Sequence, residues 1–334
     1  MVLLGAIAAA SLRSGPASMG WDRIAEVFLV ESGLKDAAAT DLTEQERVII
    51  WHIRLPRVIV GALVGACLAL SGTLLQGLFR NPMVSPSVIG VSAGGALGAT
   101  AAIGLGLGAM SLWAVPLFSF LGALVSCWLV YLMASRHGRT PIATLLLCGI
   151  AVNSIAGALT SLVLSVSVKE WEVGRQILYW LMGSLSNRTW EHIEMITPFF
   201  VVSAVGAALF PRELNLLMTG EEPARSLGVD TRMTTRWIIV IAALAAGAAV
   251  AVSGVIGFVG LLVPHILRLL MGPDHRRLLP ASLVAGAAFL MGMDLIARTM
   301  LGSEEVQLGI LTAGLGGPFF LYLVLKHRKR AEQF

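Results

Sequence analysis

Charge is what this sequence has least of. Only 13% of its 334 residues are Asp, Glu, Lys or Arg, while 56% are apolar. Soluble domains carry about 25% charged residues, so this chain has too little charge to cover a water-facing surface. Cysteine is scarce as well. Cys67, Cys127 and Cys148 lie singly inside apolar runs without CxxC or other metal-ligand spacing, which suits small packing residues rather than a metal site or a disulfide framework. No Gly-Lys dipeptide occurs anywhere. A phosphate loop of the form G-x-x-x-x-G-K-[ST] needs that lysine to neutralise phosphate, so "GVSAGGALG" (90–98) is no nucleotide cradle. No HExxH or histidine cluster is present, and the lone His52 and His265 read as structural.

What the chain has instead is long apolar runs. A helix needs about 20 apolar residues to cross a hydrocarbon core of roughly 30 Å. Val58–Phe79 and Ser111–Ser135 meet this without a single charge. Ten candidate spans follow, at about 1–12, 57–79, 86–108, 111–134, 141–166, 195–210, 236–252, 255–271, 279–301 and 307–325. The expected fold is therefore all-α: a polytopic membrane protein of about ten transmembrane helices in one domain over residues 1–334. The first span is short and has no positive n-region. It reads either as a signal-like core or as a helix whose start lies upstream.

The chain ends in the basic run "KHRKR" (326–330), which the positive-inside rule places in the cytoplasm. Ten crossings then put the N-terminus there too. The loops agree: the inner segments hold fourteen cations against six acids, among them Arg136, Arg139, Arg276 and Arg277, and the outer segments nine against thirteen.

Two polar stretches are expected to be structured. The first, 13–56, lies outside. Its "WDRIAEVFLVE" (21–31) has amphipathic helical spacing, and "LTEQER" (42–47) carries a capping box from Thr43 to Glu46. Pro56 should stop or restart the helix there. The second, 211–235, lies inside and reads as two short helices separated by Gly220, with Glu221, Glu222 and Pro223 in the first turn of the second and Gly228 ending it. Such a pair suits docking to a cytoplasmic partner.

Small residues recur at helical spacing. Gly90, Gly94 and Gly98 share one face, Gly61 and Gly65 repeat the interval, and both sets suit close helix packing. Gly149, Asn153, Gly157 and Thr160 also share a face, which either lines a passage or serves as helix glue. Asp294 is the one carboxylate well inside a span, and Arg298 lies four residues on, within pairing reach. "LALSG" (68–72) and "VAVSG" (250–254) form a weak internal echo.

Six segments in order resemble the FecCD-type permeases of iron-siderophore, haem and cobalamin ABC importers. They are "RLPRVIVGALVGACLALSGTLLQGLFRNPMVSPSVIGVSAGGALG" (54–98), "YWLMGSL" (179–185), "GEEPARSLGV" (220–229), "GFVGLLVPHILRLLMGPDHRRLLP" (257–280), "DLIAR" (294–298) and "LGILTAGLGGPFF" (308–320). The resemblance implies a homodimer in a bacterial or archaeal cytoplasmic membrane, served by two ATPase subunits and a substrate-binding protein, with no nucleic acid partner. ATP and Mg belong to the ATPase; no cofactor and no catalytic residue is implied for this chain. By motif position, Glu221, Ala224, Arg225, Leu227 and Gly228 would couple to the ATPase. Arg54, Arg57 and Arg298 would dock acids of the binding protein, with Asp294 steadying Arg298. The gate would lie at Ala143 and Thr144. A ferric siderophore is the first-choice cargo, haem or cobalamin the alternative. A stand-alone secondary carrier and a membrane enzyme fit less well, because buried acids and catalytic constellations are lacking.

Overall fold

The computed structural model describes residues 2–14, 19–36, 40–135, 141–167, 170–301 and 304–331. Arg136, Arg139 and the side chains of the basic tail (326–330) lie outside the described residues.

Fifteen α-helices are described: α1 Val2–Arg13, α2 Trp21–Glu31, α3 Glu44–Arg47, α4 Leu55–Leu78, α5 Val91–Gly104, α6 Ala114–Ala134, α7 Ile142–Ser167, α8 Trp171–Leu181, α9 Trp190–Ala208, α10 Pro211–Met218, α11 Glu221–Ser226, α12 Thr231–Ser253, α13 Val259–Met271, α14 His275–Thr299 and α15 Leu308–Ala331. Five continuous helical stretches are long and apolar enough to cross a membrane: Glu44–Leu78, α6, α7, α12 and α14. The bent pair α9–α10 (57°) passes the same test as one unit, and four shorter apolar helices, α1, α5, α13 and the Leu308–Tyr322 part of α15, bring the apolar segments to the ten expected.

Helix α4 is the axis of the bundle. It packs against α9, α12, α13 and α14 and is buried almost throughout. Its few polar side chains each reach a neighbour. Ser71 Oγ donates to Ala242 O (2.8 Å), Thr73 Oγ1 meets Ser282 Oγ (2.6 Å) and Gln76 Nε2 donates to Leu261 O (3.0 Å). These bonds tie α4 to α12, α14 and α13, which is how polar groups hold helices together where lipid offers no partner. The segment Val48–Arg54 that leads into α4 packs against α2, and the other end of α4 meets α10.

Of the two expectations for Pro56 the restart holds and the stop does not: α4 begins at Leu55 with Pro56 in its first turn. Val48–Arg54 forms a π-helix that joins α3 to α4 without a break. The wider i→i+5 turn, seen in the bond from Leu55 N to Ile50 O, accommodates a proline that an α-turn would reject. The Thr43–Glu46 capping box is present in both directions (2.9 and 3.2 Å), and α2 buries Ile24, Val27 and Val30 as its spacing predicts.

Irregular backbone inside the bundle is satisfied by itself. Ser184 N donates to Ser253 O (2.8 Å), Leu308 N to Gly183 O (3.0 Å) and Gly309 N to Met182 O (3.0 Å). Three chain breaks, after α8, after α12 and before α15, thus meet at one place. Non-helical backbone survives at membrane depth only where such partners exist.

Candidate functional site

At the α2 end three arginines converge on α14 and α1. Asp294, on α14, is buried, and Arg57 grips it with Nε (3.0 and 3.1 Å) and Nη2 (2.8 Å). The same guanidinium holds Glu305 through Nη1 (2.8 Å) and Nη2 (3.0 Å). Arg298, one turn beyond Asp294, forms a further ion pair with it (3.2 Å). Its other nitrogens donate to Ser11 O (3.2 Å) and Ser14 O (3.3 Å), while Arg54 Nη1 donates to Leu12 O (2.7 Å) and Arg13 O (3.1 Å). Arg54 and Arg298 therefore cap the free carbonyls and negative dipole end of α1. Glu305 lies between α14 and α15. Burial pulls its carboxyl upward, but the hydrogen bonds from Arg57 and Ser186 and the charges of Arg57 and Arg298 outweigh that and hold it below its ordinary value.

The resemblance implies that these arginines dock acids of a binding protein. Within the chain they are turned inward: Arg54, Arg57 and Arg298 are only 5%, 8% and 7% exposed. The reason is physical. A carboxylate inside the bundle needs cations beside it, and a helix end needs donors. The partner that sequence reasoning missed is Glu305. Its only local signal is the Glu-Glu pair just before the last span.

On α7 the small-polar face does not line open space. Gly149 lies against Val88 O, Asn153 Nδ2 donates to Ser87 O (2.9 Å), and Thr160 is buried, its Oγ1 bonded back to Ala156 O (2.8 Å). Only Gly157 of that set is exposed, as are Ala143 and Thr144 at the helix start. The open strip of α7 is apolar, through Leu147, Ile150, Ile155 and Leu162. The periodicity marks a real face, but one closed by α5 and the 3-10 turn Pro86–Ile89.

The packing glycines fall into two seams. Gly65 on α4 meets Gly286 O and Leu290 on α14, and Gly61 faces Leu185 and Met291. Gly94 meets Gly122 O and Gly98 meets Phe118 O, so α5 and α6 touch backbone to backbone. Gly90 is not inside a helix, as its spacing suggests, but is the left-handed hinge (φ 88°) between the 3-10 turn and α5, against Ser126 Oγ.

At the α10 end, α10 and α11 form an exposed ledge. Asn215 on α10 fixes it to α14, donating to Asp274 Oδ1 (2.6 Å) and accepting from His275 N (2.9 Å). The bonds from Asn215 and from Arg276 N hold the Asp274 carboxyl below its ordinary value. Ala224 is buried beneath the ledge, whereas Glu221, Arg225, Leu227 and Gly228 are exposed. Arg225 bonds Glu221 (2.9 Å) and Thr231 Oγ1 (2.9 Å). Gly228, at φ 83°, closes α11: its N–H reaches Arg225 O (2.9 Å), and Val229 N reaches Ala224 O (3.0 Å). This is the Schellman pattern, in which a left-handed residue turns the chain out of the helix.

No group of three or more His, Cys, Asp or Glu residues able to hold a metal occurs among the described residues. The arrangement is a scaffold of packed helices with an ionic lock at one end and a ledge at the other.

Comparison with known proteins agrees with that architecture. Residues 3–326 match the model of the FecCD transport family. The Cobalamin import system permease protein BtuC of Halobacterium salinarum is 47% identical over 86% of this chain and 76% of its own length. The Hemin transport system permease protein HmuU of Yersinia pestis is 40% identical over 84% of this chain and 85% of its own. A solved structure described as an inward-facing conformation of a metal-chelate type ABC transporter superposes with a TM-score of 0.83 at 33% identity, covering 97% of both chains. The chain belongs to the FecCD transport family: it is a membrane permease of the ABC importer class and not an enzyme.

Proposed function

We propose that this permease carries a bulky metal chelate into the cell, with a ferric siderophore as the first-choice cargo. The observation that carries the transport mechanism is the exposed α10–α11 ledge on a chain that has no phosphate loop of its own. In this reading an ATPase seats on Glu221, Ala224, Arg225, Leu227 and Gly228, and both termini lie on that side. A second copy pairs with this one, and cargo passes between them, gated near Ala143 and Thr144. The strip Leu147, Ile150, Ile155 and Leu162 gives α7 a surface to share with that copy.

A binding protein docks at the α2 end, at Arg54, Arg57 and Arg298. Because these arginines already have partners within the chain, an incoming acid has to replace one of them. The relatives named for cobalamin and hemin keep both cargoes as alternatives. A proton-driven carrier is disfavoured because Asp294 is neutralised by two arginines.

The test is uptake into proteoliposomes holding this chain with its ATPase and binding protein, offered a ferric siderophore, haem and cobalamin in turn. ATP-dependent uptake of the siderophore alone is the expected result. Uptake that persists without ATP, or with the ATPase omitted, overturns the mechanism. Uptake of haem or cobalamin instead overturns the cargo.

A further inference from the structure

A cavity of about 720 Å³ opens near the Arg57 network, a size within the range of roughly 300–1,000 Å³ usual for small-molecule sites. Tyr179, Trp180, Ser186, Arg188 and Gln307 are among its walls. Arg188 stands out. It follows Asn187, held in the left-handed region (φ 59°), on the turn between α8 and α9. Its Nη1 lies 2.9 Å from His192 Nε2, and its buried Nε has no hydrogen-bond partner among the described residues. A neutral imidazole has one acceptor nitrogen. His192 Nδ1 accepts from Thr189 N (3.2 Å) and lies 3.0 Å from Thr189 Oγ1, so whichever ring nitrogen carries the proton, the imidazole brings no negative charge to Arg188.

No described carboxylate compensates Arg188. Of the two acids in the cavity wall, Glu305 is held by Arg57 and Ser186, and Glu304 is exposed and forms no ion pair among the described residues. Burial, with the charge of Arg57 added, pushes Arg188 down to about 10. It remains a cation at neutral pH. Arg188 is half-buried in the cavity wall with its Nε closed off from solvent, and a guanidinium placed so without an anion is costly.

We infer that Arg188 receives a carboxylate of the arriving cargo, its planar fork taking both oxygens inside this cavity. The inference rests on the transport reading above and narrows the cargo to chelates that carry a free carboxylate. Planar two-nitrogen donation matches a carboxylate better than a lysine's point charge would. The cavity holds a molecule rather than one side chain, and Tyr179 and Trp180 give it aromatic walls, which favours the cargo over an acid of the binding protein as the source.

Citrate serves as the probe, with its neutral trimethyl ester as control, on the full chain in nanodiscs. Phenylglyoxal modification is followed by mass spectrometry at Arg188, with exposed Arg175 as internal reference. At about four times its Kd, citrate slows modification of Arg188 roughly fivefold, following 1 + [L]/Kd. The ester should have no effect, and Arg175 should be unchanged. Equal rates with and without citrate overturn the inference, and so does equal protection by the ester.

A second measurement separates the sources. Arg188→Gln and Arg188→Lys should bind cargo-free binding protein as the wild type does. Loss of that docking in Arg188→Gln would assign the carboxylate to the binding protein and overturn the inference. The protection assay uses unmutated protein and needs no transport, so it stays readable even if uptake shows the importer reading to be wrong.

Discussion

Arg57 and Asp294 are 237 residues apart in the chain, yet their side chains meet with Nη2 2.8 Å from Oδ1 and Nε 3.0 Å from the same oxygen. This pair fastens the start of α4 to the far end of α14. Because Arg57 also holds Glu305, and Asp294 also holds Arg298, removing any one member leaves a buried charge exposed to its neighbours' fields.

Asp294→Ala should therefore destabilise the protein by about 3–5 kcal/mol, the usual cost of orphaning a buried charge. Unfolding in detergent by heat or denaturant measures it. The double variant Asp294→Leu with Arg298→Met should recover part of the loss, because it also removes the cation whose ion-pair partner was Asp294, while Arg57 keeps Glu305. A double variant no more stable than Asp294→Ala would refute the pairwise account.

The helix seams make a second prediction. Gly65→Val and Gly94→Val force a branched side chain against a backbone carbonyl on the neighbouring helix. Each should cost at least about 1–3 kcal/mol, as overpacked sites do. Gly157→Ala, where nothing lies within 4 Å, should be neutral or slightly stabilising. Melting curves of the three variants side by side decide this.

Sequence reasoning found the ten apolar segments because hydropathy reports solvent directly. It also found the Thr43 cap and the α10–α11 pair, whose signals are local. It missed three things for one reason: their causes are distant. Nothing near Arg57 announces Glu305. The π-helix of Val48–Arg54 has no periodicity of its own. The small-polar face of α7 gives a direction without saying whether α5 or open space lies there. The amphipathic α8 escaped notice because it falls between two spans, although Trp171, Tyr179 and Trp180 mark it as an interfacial helix.

Acidification tests the Glu305 lock. A carboxyl held below its ordinary value contributes stability that is present above its unfolded pKa and is lost as pH falls through the folded one. Stability should therefore decline as pH drops below about the ordinary Glu value of 4.5. Glu305→Gln should be less stable at pH 7 and show a flatter profile in that window. An unchanged slope in the variant would show that another group governs the acid limb.

The ledge gives a fourth prediction. Leu227 is 57% exposed, so Leu227→Asp should fold normally yet lose co-purification of the ATPase. Gly228→Val acts differently. A branched residue in the left-handed region costs about 1–2 kcal/mol, which should loosen the end of α11 and weaken the same association without abolishing it. Retained ATPase binding in Leu227→Asp would remove this surface from the coupling assignment.

The 14 residues of α5 reach only about 21 Å at 1.5 Å per residue, short of a hydrocarbon core of roughly 30 Å. Its seam with α6 is backbone against backbone. Such a helix is poorly suited to partition into lipid alone and wait for its neighbours. Biogenesis of this protein should insert α5 and α6 together as a hairpin, making the order of membrane entry a property of two glycine faces rather than of hydropathy.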